Sequence, residues 1–315
     1  MSSTHGSQTP TTEAKTQDES ANEQASSIAQ LEQLLPALIK TFVISHDADD
    51  DVRLAKALVF NAARLAWRLR INGVDIDTKS NPTDLVTTAD IAAEKFISGA
   101  LAALRPDDGV MGEEGAHQES TSGRTWIIDP VDGTYNFASG SDYFCCALGL
   151  VEGHPDNPSA IILGAVHRPA MGYTWIGGPN LPTTRDDEPV SPIVDQPLSK
   201  VCLGTYMHPA LIANGKPFVA GWLNLVAGAA TVRLLGSASV DLASLADGVI
   251  GAWAQHSVKS WDWIPGRALV EGAGGTTRTI TAGGISWCLA GSQSAVDDME
   301  RRLSAPDLPH LPALP

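Results

Sequence analysis

Apolar residues recur at helical spacing early in the chain and gather into short β-branched runs later. Leu54, Leu58, Ala62, Leu65 and Leu69 share one face and predict a long amphipathic helix over 52–69, closed by the Asn72-Gly73 pair. Ahead of it, Ile28, Leu31, Leu34, Leu35, Leu38 and Ile39 predict a helix over 28–44, interrupted near Pro36. A further helical run covers 91–104, with Asp90 as its N-cap. Trp126-Ile127-Ile128 reads as a buried strand, and Pro130, which has no N–H to donate, ends its ladder. Residues 143–151 and 160–167 predict strands joined by a turn at Gly153 and Pro155, and 173–177 predicts another. The stretch 178–197 is rich in Pro, Asp and Thr and reads as a link between two halves. Beyond it the pattern predicts a strand over 201–205, a weak helix over 223–234 and a helix opened by Gly236-Ser237-Ala238-Ser239 and closed by Asp247-Gly248. A strand over 249–254, a helix over 262–272 stopped by Gly274-Gly275, and strands over 278–280 and 286–290 complete it. The organisation is a tail over 1–27, an N-terminal α+β half over 28–190 and a C-terminal α/β half over 191–310.

Composition narrows the classes. A length of 315 residues with 43% hydrophobic and 18% charged content suits a soluble globular protein with a sizeable core. The tail over 1–27 is Ser, Thr, Gln, Glu and Ala with almost no large apolar residue, and it reads as disordered. A net charge of −15 argues against nucleic-acid binding, which needs a Lys/Arg stripe, and suits a site that collects cations. Cys145, Cys146, Cys202 and Cys288 lack a metal-binding spacing and read as buried thiols in a reducing compartment. No apolar run is long enough to span a membrane, and the N-terminus does not read as a secretory signal, so the cytoplasm is the expected location.

The chemistry gathers on acidic residues. Trp126 to Asn136 reads W-I-I-D-P-V-D-G-T-Y-N, which sets Asp129 and Asp132 at the mouth of the buried strand and Gly133-Thr134 directly after. Two such carboxylates repel unless a cation holds them, and hard divalent cations take oxygen ligands. The amides after Gly133 can hold an anion. Asp90, the Glu113/Glu114 pair and Asp262 likewise stand where a predicted strand ends or a helix begins. Together these residues match a site that binds Mg²⁺ ions and cleaves a phosphate ester. The run Asp47, Asp49, Asp50 and Asp51 lacks the glycine and closing glutamate of a calcium loop and reads as a helix N-terminus. There is no internal repeat, G-x-G-x-x-G or Walker loop.

The motifs D-L-V-T-T-A-D (84–90), G-E-E (112–114), W-I-I-D-P-V-D-G-T-Y-N-F (126–137), G-S-A (236–238), W-D (261–262) and G-A-G-G (272–275) occur in an order that resembles the inositol monophosphatase family of Mg²⁺-dependent, lithium-sensitive phosphatases, as a bacterial member. The resemblance implies the layered α/β/α/β/α sandwich of the inositol monophosphatase and fructose-1,6-bisphosphatase type, usually as a dimer. It implies two or three Mg²⁺ ions, with Glu113, Asp129, Asp132, Asp262 and the Val131 carbonyl as ligands. Thr134 and Asp90 would orient the attacking water. The Gly133 and Thr134 amides would hold the phosphate, and Glu114 would act through water or a ligand.

Substrate choice is expected around Gly236, Ser237, Ala238 and Gln255. Inositol-specific members commonly carry a glutamate seven residues before the W-D aspartate, and here that position is Gln255. Gln hydrogen-bonds a hydroxyl but brings no charge. The implied substrate is inositol 1-phosphate or a similar polyol phosphate. Histidinol phosphate, 3′-phosphoadenosine-5′-phosphate, fructose-1,6-bisphosphate and a regulatory role through protein contacts are the alternatives. Trp253, Trp261 and Trp263 read as core, and His256 as a strand-end histidine.

Overall fold

The computed structural model describes residues 33–73, 76–78, 85–213 and 217–305. The expected tail over 1–27 lies outside them, as does the start of the helix expected over 28–44. Helix α1 covers 33–45 and runs through Pro36 without a break. Helix α2 (Asp51–Ile71) is capped by Asp50, whose carboxylate accepts from Arg53 N at 2.9 Å. Asp51 pairs with Arg105 and Arg124, each at 2.7 Å, so the acidic run serves the helix start as expected. Leu54, Leu58, Ala62 and Ala66 are buried, while Leu65 is half-buried. Strands β1 (Ile76–Thr78) and β2 (Leu85–Thr87) form an antiparallel pair. Helix α3 (Thr88–Leu104) starts before the expected 91: its N-cap is Thr87, and Asp90 is the reciprocal acid of a capping box.

An eight-stranded sheet follows. It contains β3 (Gly109–Gly112), β4 (His117–Gln118), β5 (Arg124–Asp132), β6 (Cys145–His154), β7 (Asn157–Arg168), β8 (Tyr173–Gly178), β9 (Leu181–Arg185) and β10 (Glu188–Pro189) in the order β10-β9-β8-β7-β6-β5-β3-β4. All neighbours are antiparallel except β3 and β5. The short helix α4 (Thr134–Ser139) follows β5 directly. The stretch 178–197 is not all link, because its first part returns as β9 and β10 along the sheet edge, where Pro189 needs no partner for an N–H. Pro130 does not end β5 either; the strand continues to Asp132 through a bulge.

The second half holds β11 (Cys202–Thr205), α5 (Pro209–Ala213), α6 (Pro217–Gly228), β12 (Thr231–Arg233), α7 (Ala238–Ala246), β13 (Ala252–His256), α8 (Ser260–Gly272), β14 (Thr276–Ala282), β15 (Ile285–Gly291) and α9 (Gln293–Leu303). Its strands form a five-stranded sheet in the order β12-β11-β13-β15-β14. The helix expected over 223–234 ends at Gly228, and β12 takes the rest. The strand expected from 249 begins at Ala252, since Val249 N and Ile250 N bond back to Ser244 O and finish the turn after α7.

Five layers result. Trp126 and Ile128 of β5 pack with α1, α2 and α3, whereas Ile127 between them packs with α7 and α8, as alternation along a strand requires. The core around α7 and α8 also takes Trp253, Cys288 and Ala290 from the second sheet. On that sheet's outer face Leu203, Ala254 and Leu289 pack with Trp222 and Leu225 of α6 and Val296 and Met299 of α9. This is the α/β/α/β/α sandwich. Helix α8 sits hard against the first sheet, because a Cβ on Gly164 would run into the Pro265 carbonyl.

Candidate active site

The bulge in β5 sets the first two carboxylates. Asp129 opposes Ala147 and Asp132 opposes Cys145, so β5 spends one more residue than β6 across this span. Pro130 falls inside the bulge, where a missing donor does no harm. Asp132 then reaches the second half: its carboxylate accepts from Ala238 N at 3.2 Å and from Ser239 N, the opening amides of α7. Asp262 arrives from the first turn of α8. Carboxylate oxygens of Asp129, Asp132 and Asp262 lie within 4.8 Å of one another.

These charges are unwelcome to each other. Burial first, then Glu113, Asp132 and Asp262, push the Asp129 pKa well above the carboxylate range. Burial also raises Asp262, helped by Asp132 and Glu113, and raises Asp132 against the opposing bonds from Ser239 and Ala238. Asp129 Oδ1 is buried and has no hydrogen-bond partner. A buried anion with an orphan oxygen is costly, and an all-oxygen cluster of this kind suits a hard divalent cation. The residues therefore fit Mg²⁺. Glu113 stands in the turn after β3 and bears on both Asp129 and Asp262, whereas the Glu114 backbone N–H donates to the Glu94 carboxylate at 2.8 Å.

The Thr134 hydroxyl lies 3.3 Å from Asp90 Oδ1 and 3.0 Å from the Val131 carbonyl. It has one proton, while the carbonyl has two lone pairs. Asp90 also accepts from the Thr87 hydroxyl and from Thr87 N at 2.9 Å; burial outweighs these bonds and pushes its pKa up to about 7. Gly133 caps α4 in the left-handed region at φ 98°, where a Cβ would meet the Tyr143 and Gly236 carbonyls at 3.0 and 3.2 Å. Asn136 Nδ2 ties this turn to the second half, donating to Tyr143 O at 2.9 Å and Leu235 O at 2.7 Å.

A cavity of about 650 Å³ opens beside the carboxylates, lined in part by Asp132, Asp262, Ser237, Gly236, Ala238 and Gln255. The residues expected to select substrate thus line the same cavity as Asp132 and Asp262. Ser237 also caps α7, accepting from Val240 N. His256 is not among the lining residues. Its ring packs against Phe218 and Trp287, and burial lowers its pKa. Trp253 and Trp263 stack at 5.6 Å in the core, as expected.

Sequence reasoning missed Glu94, buried and bonded to the turn after β3. Its spacing from Asp90, one helical turn, was a readable signal. It also missed Asp241, which lines the cavity, accepts from the Tyr143 hydroxyl at 2.7 Å and is pushed up to about 7 by burial. Partners that far apart in sequence leave no local trace.

A profile of the inositol monophosphatase family matches residues 47–307. The chain is 30% identical over 237 residues to the inositol-1-monophosphatase of Mycobacterium bovis, covering 71% of this chain and 79% of that protein. The inositol-1-monophosphatase of Bacillus subtilis is 29% identical over 231 residues, covering 72% of this chain and 84% of that one. The extragenic suppressor protein suhB of Bartonella henselae shares the fold at TM-score 0.70 and 24% identity, over 80% of this chain and 97% of that chain. An IMPase of Thermotoga maritima does so at TM-score 0.68 and 23% identity, over 81% and 97%. The chain belongs to the inositol monophosphatase family of phosphoric monoester hydrolases.

Proposed function

We propose that the chain is a Mg²⁺-dependent phosphomonoesterase that hydrolyses a small polyol phosphate, inositol 1-phosphate foremost, to the alcohol and phosphate. The convergence of Asp129, Asp132 and Asp262 beside a cavity, with Asp129 Oδ1 lacking a partner, carries this reading. Asp129, Asp132, Asp262, Glu113 and the Val131 carbonyl hold the cations. When bound, these neutralise the phosphate and acidify water. Thr134, with Asp90 behind it, orients the attacking water. The Gly133 and Thr134 amides face the phosphate, and Gln255, Ser237 and Ala238 meet the alcohol. The new bond forms between water oxygen and phosphorus as the ester P–O bond breaks; one proton of the water ends on the departing oxygen, which leaves as the alcohol, and the other stays with the released phosphate. Most of this chemistry is positioning and charge neutralisation. The same reading includes lithium inhibition, a homodimer, a cytoplasmic location and a division into halves at 190–191.

A second substrate reading has an observation of its own. The cavity rim carries Tyr135, Leu234 and Tyr206, exposed by 57%, 48% and 37%, and no Lys or Arg appears among the described lining residues. Such a rim favours an alcohol with a flat or apolar body, as in histidinol phosphate, over a bisphosphate whose second anion needs a cation. The test is phosphate release with Mg²⁺, with and without lithium, from inositol 1-phosphate, histidinol phosphate, fructose-1,6-bisphosphate and phosphoadenosine phosphate. Turnover of the first supports the main reading, preference for the second moves the assignment, and silence on all four sinks both.

A further inference from the structure

The turn that carries Glu113 is built on a carboxylate with no part in the chemistry described above. Glu94 projects from α3 one turn beyond Asp90, so the two acids share a face of that helix. Asp90 reaches Thr134, and Glu94 reaches the turn between β3 and β4. Its Oε2 accepts from Glu114 N at 2.8 Å and its Oε1 from Ala116 N at 2.7 Å. Its side chain is buried against Gly112, where a Cβ would collide with the carboxylate.

The remaining amides of the turn are also accounted for. Gly112 N donates to Ala116 O at 2.8 Å, Glu113 N to Ile128 O at 3.1 Å and Gly115 N to Gly112 O at 3.4 Å. Glu113 is thereby clamped on both sides. Its own amide is tied to the β5 residue just before Asp129, and the next amide is tied to α3. Charge-assisted bonds to a buried carboxylate are strong and directional, so a loss here loosens the backbone beneath Glu113. Glycine at 112 is the matching feature, since it leaves the space that the carboxylate fills.

We propose that Glu94 is a positioning residue for the cation site: it fixes the 112–116 turn so that Glu113 faces Asp129 and Asp262. The inference rests on the cation-site reading. Groups that orient a metal ligand typically affect metal affinity by about 10–100-fold. Glu94→Gln keeps the volume but puts an NH₂ opposite an amide that needs an acceptor. The test is Mg²⁺ binding by calorimetry together with hydrogen exchange at residues 112–116 in Mg²⁺-free protein. The expected result for Glu94→Gln is a Mg²⁺ affinity about 10–100-fold weaker, faster exchange at Glu114 and Ala116, and little change in KM for the ester at saturating Mg²⁺. Gly112→Ala, which displaces the carboxylate from the other side, is expected to show the same pattern. In a Glu94→Ala background, Gly112→Ala costs little more, because the collision is gone. Wild-type Mg²⁺ affinity in Glu94→Gln despite faster exchange overturns the proposal alone. No Mg²⁺ binding by the wild type overturns the cation-site reading beneath it. The isosteric Glu94→Gln variant carries the test if Glu94→Ala does not fold.

Discussion

Replacing Asp129 by Asn isolates the electrostatic tension of the cluster. Carboxylate oxygens of Asp129, Asp132 and Asp262 lie within 4.8 Å of one another. At an effective dielectric of about 20, one ionised pair at that separation repels by about 3.5 kcal/mol. The Mg²⁺-free protein relieves this by taking up protons, and the directions of the Asp129, Asp132 and Asp262 pKa shifts say so. Asp129→Asn removes a charge while keeping the shape, so the Mg²⁺-free variant is expected to melt no lower than the wild type. Its response to Mg²⁺ should collapse. A ligand at about 100 times its Kd stabilises by about 2.7 kcal/mol, and each kcal/mol moves the melting point of a chain this long by about 1.5–2 °C. The wild type is therefore expected to gain about 4–5 °C from saturating Mg²⁺ over chelator, and Asp129→Asn a small fraction of that. Scanning calorimetry of both proteins measures it. An undiminished Mg²⁺ shift in Asp129→Asn, or a variant several degrees less stable without Mg²⁺, would refute the reasoning.

Asp108 is buried and accepts from Ser122 Oγ at 2.7 Å, Trp126 Nε1 at 2.9 Å and the Arg124 guanidinium; burial pushes its carboxyl up, but these bonds win and hold it below the usual carboxylate range. Its contribution is thus present above about pH 4 and fades as pH falls through the lowered value. Asp108→Ala leaves the buried Trp126 Nε1–H without its acceptor, while Arg124 keeps Asp51, and is expected to lose about 1–3 kcal/mol at neutral pH; a denaturant midpoint unchanged from wild type would contradict that. Gly164→Ala presses a methyl against the Pro265 carbonyl and is expected to cost about 1–3 kcal/mol. Because Asp262 rides on α8, weaker Mg²⁺ binding should accompany the loss, and thermal melts with and without Mg²⁺ report both. Tyr206→Ala strips one aromatic wall from the cavity, and the ratio of kcat/KM for histidinol phosphate over inositol 1-phosphate is expected to fall by about 3–10-fold if the rim holds a flat alcohol. An unchanged ratio removes the rim from substrate choice.

What could be read from the chain differed by the range of the interaction. Helix α2 was legible because Leu54, Leu58 and Ala62 repeat on one face, and its cap at Asp50 is local. Strand β5 was legible up to Pro130, but its passage through the proline depends on a bulge against β6, which sequence does not display. Strands β9 and β10 hid in a stretch rich in proline, because edge strands borrow their order from a neighbour. Helix α9 was overlooked although Val296, Met299 and Leu303 follow helical spacing, since its remaining positions are mostly polar. At the site, the acidic motifs could be named as candidate ligands, and the fold brings three of their carboxylates together. The clamp by Glu94 and the Tyr143–Asp241 bond appear only when distant turns meet.

The acidic cluster of Asp129, Asp132 and Asp262 is proposed to hydrolyse a phosphate ester only when loaded with cations. Phosphate release from inositol 1-phosphate, measured on one preparation of wild type and of Asp262→Asn, tests it most directly. Turnover is expected in the wild type with Mg²⁺, with loss in chelator and recovery when Mg²⁺ is restored, and no turnover is expected in Asp262→Asn under any of these conditions. Release that persists in chelator, or in Asp262→Asn at the wild-type Mg²⁺ requirement, would contradict it.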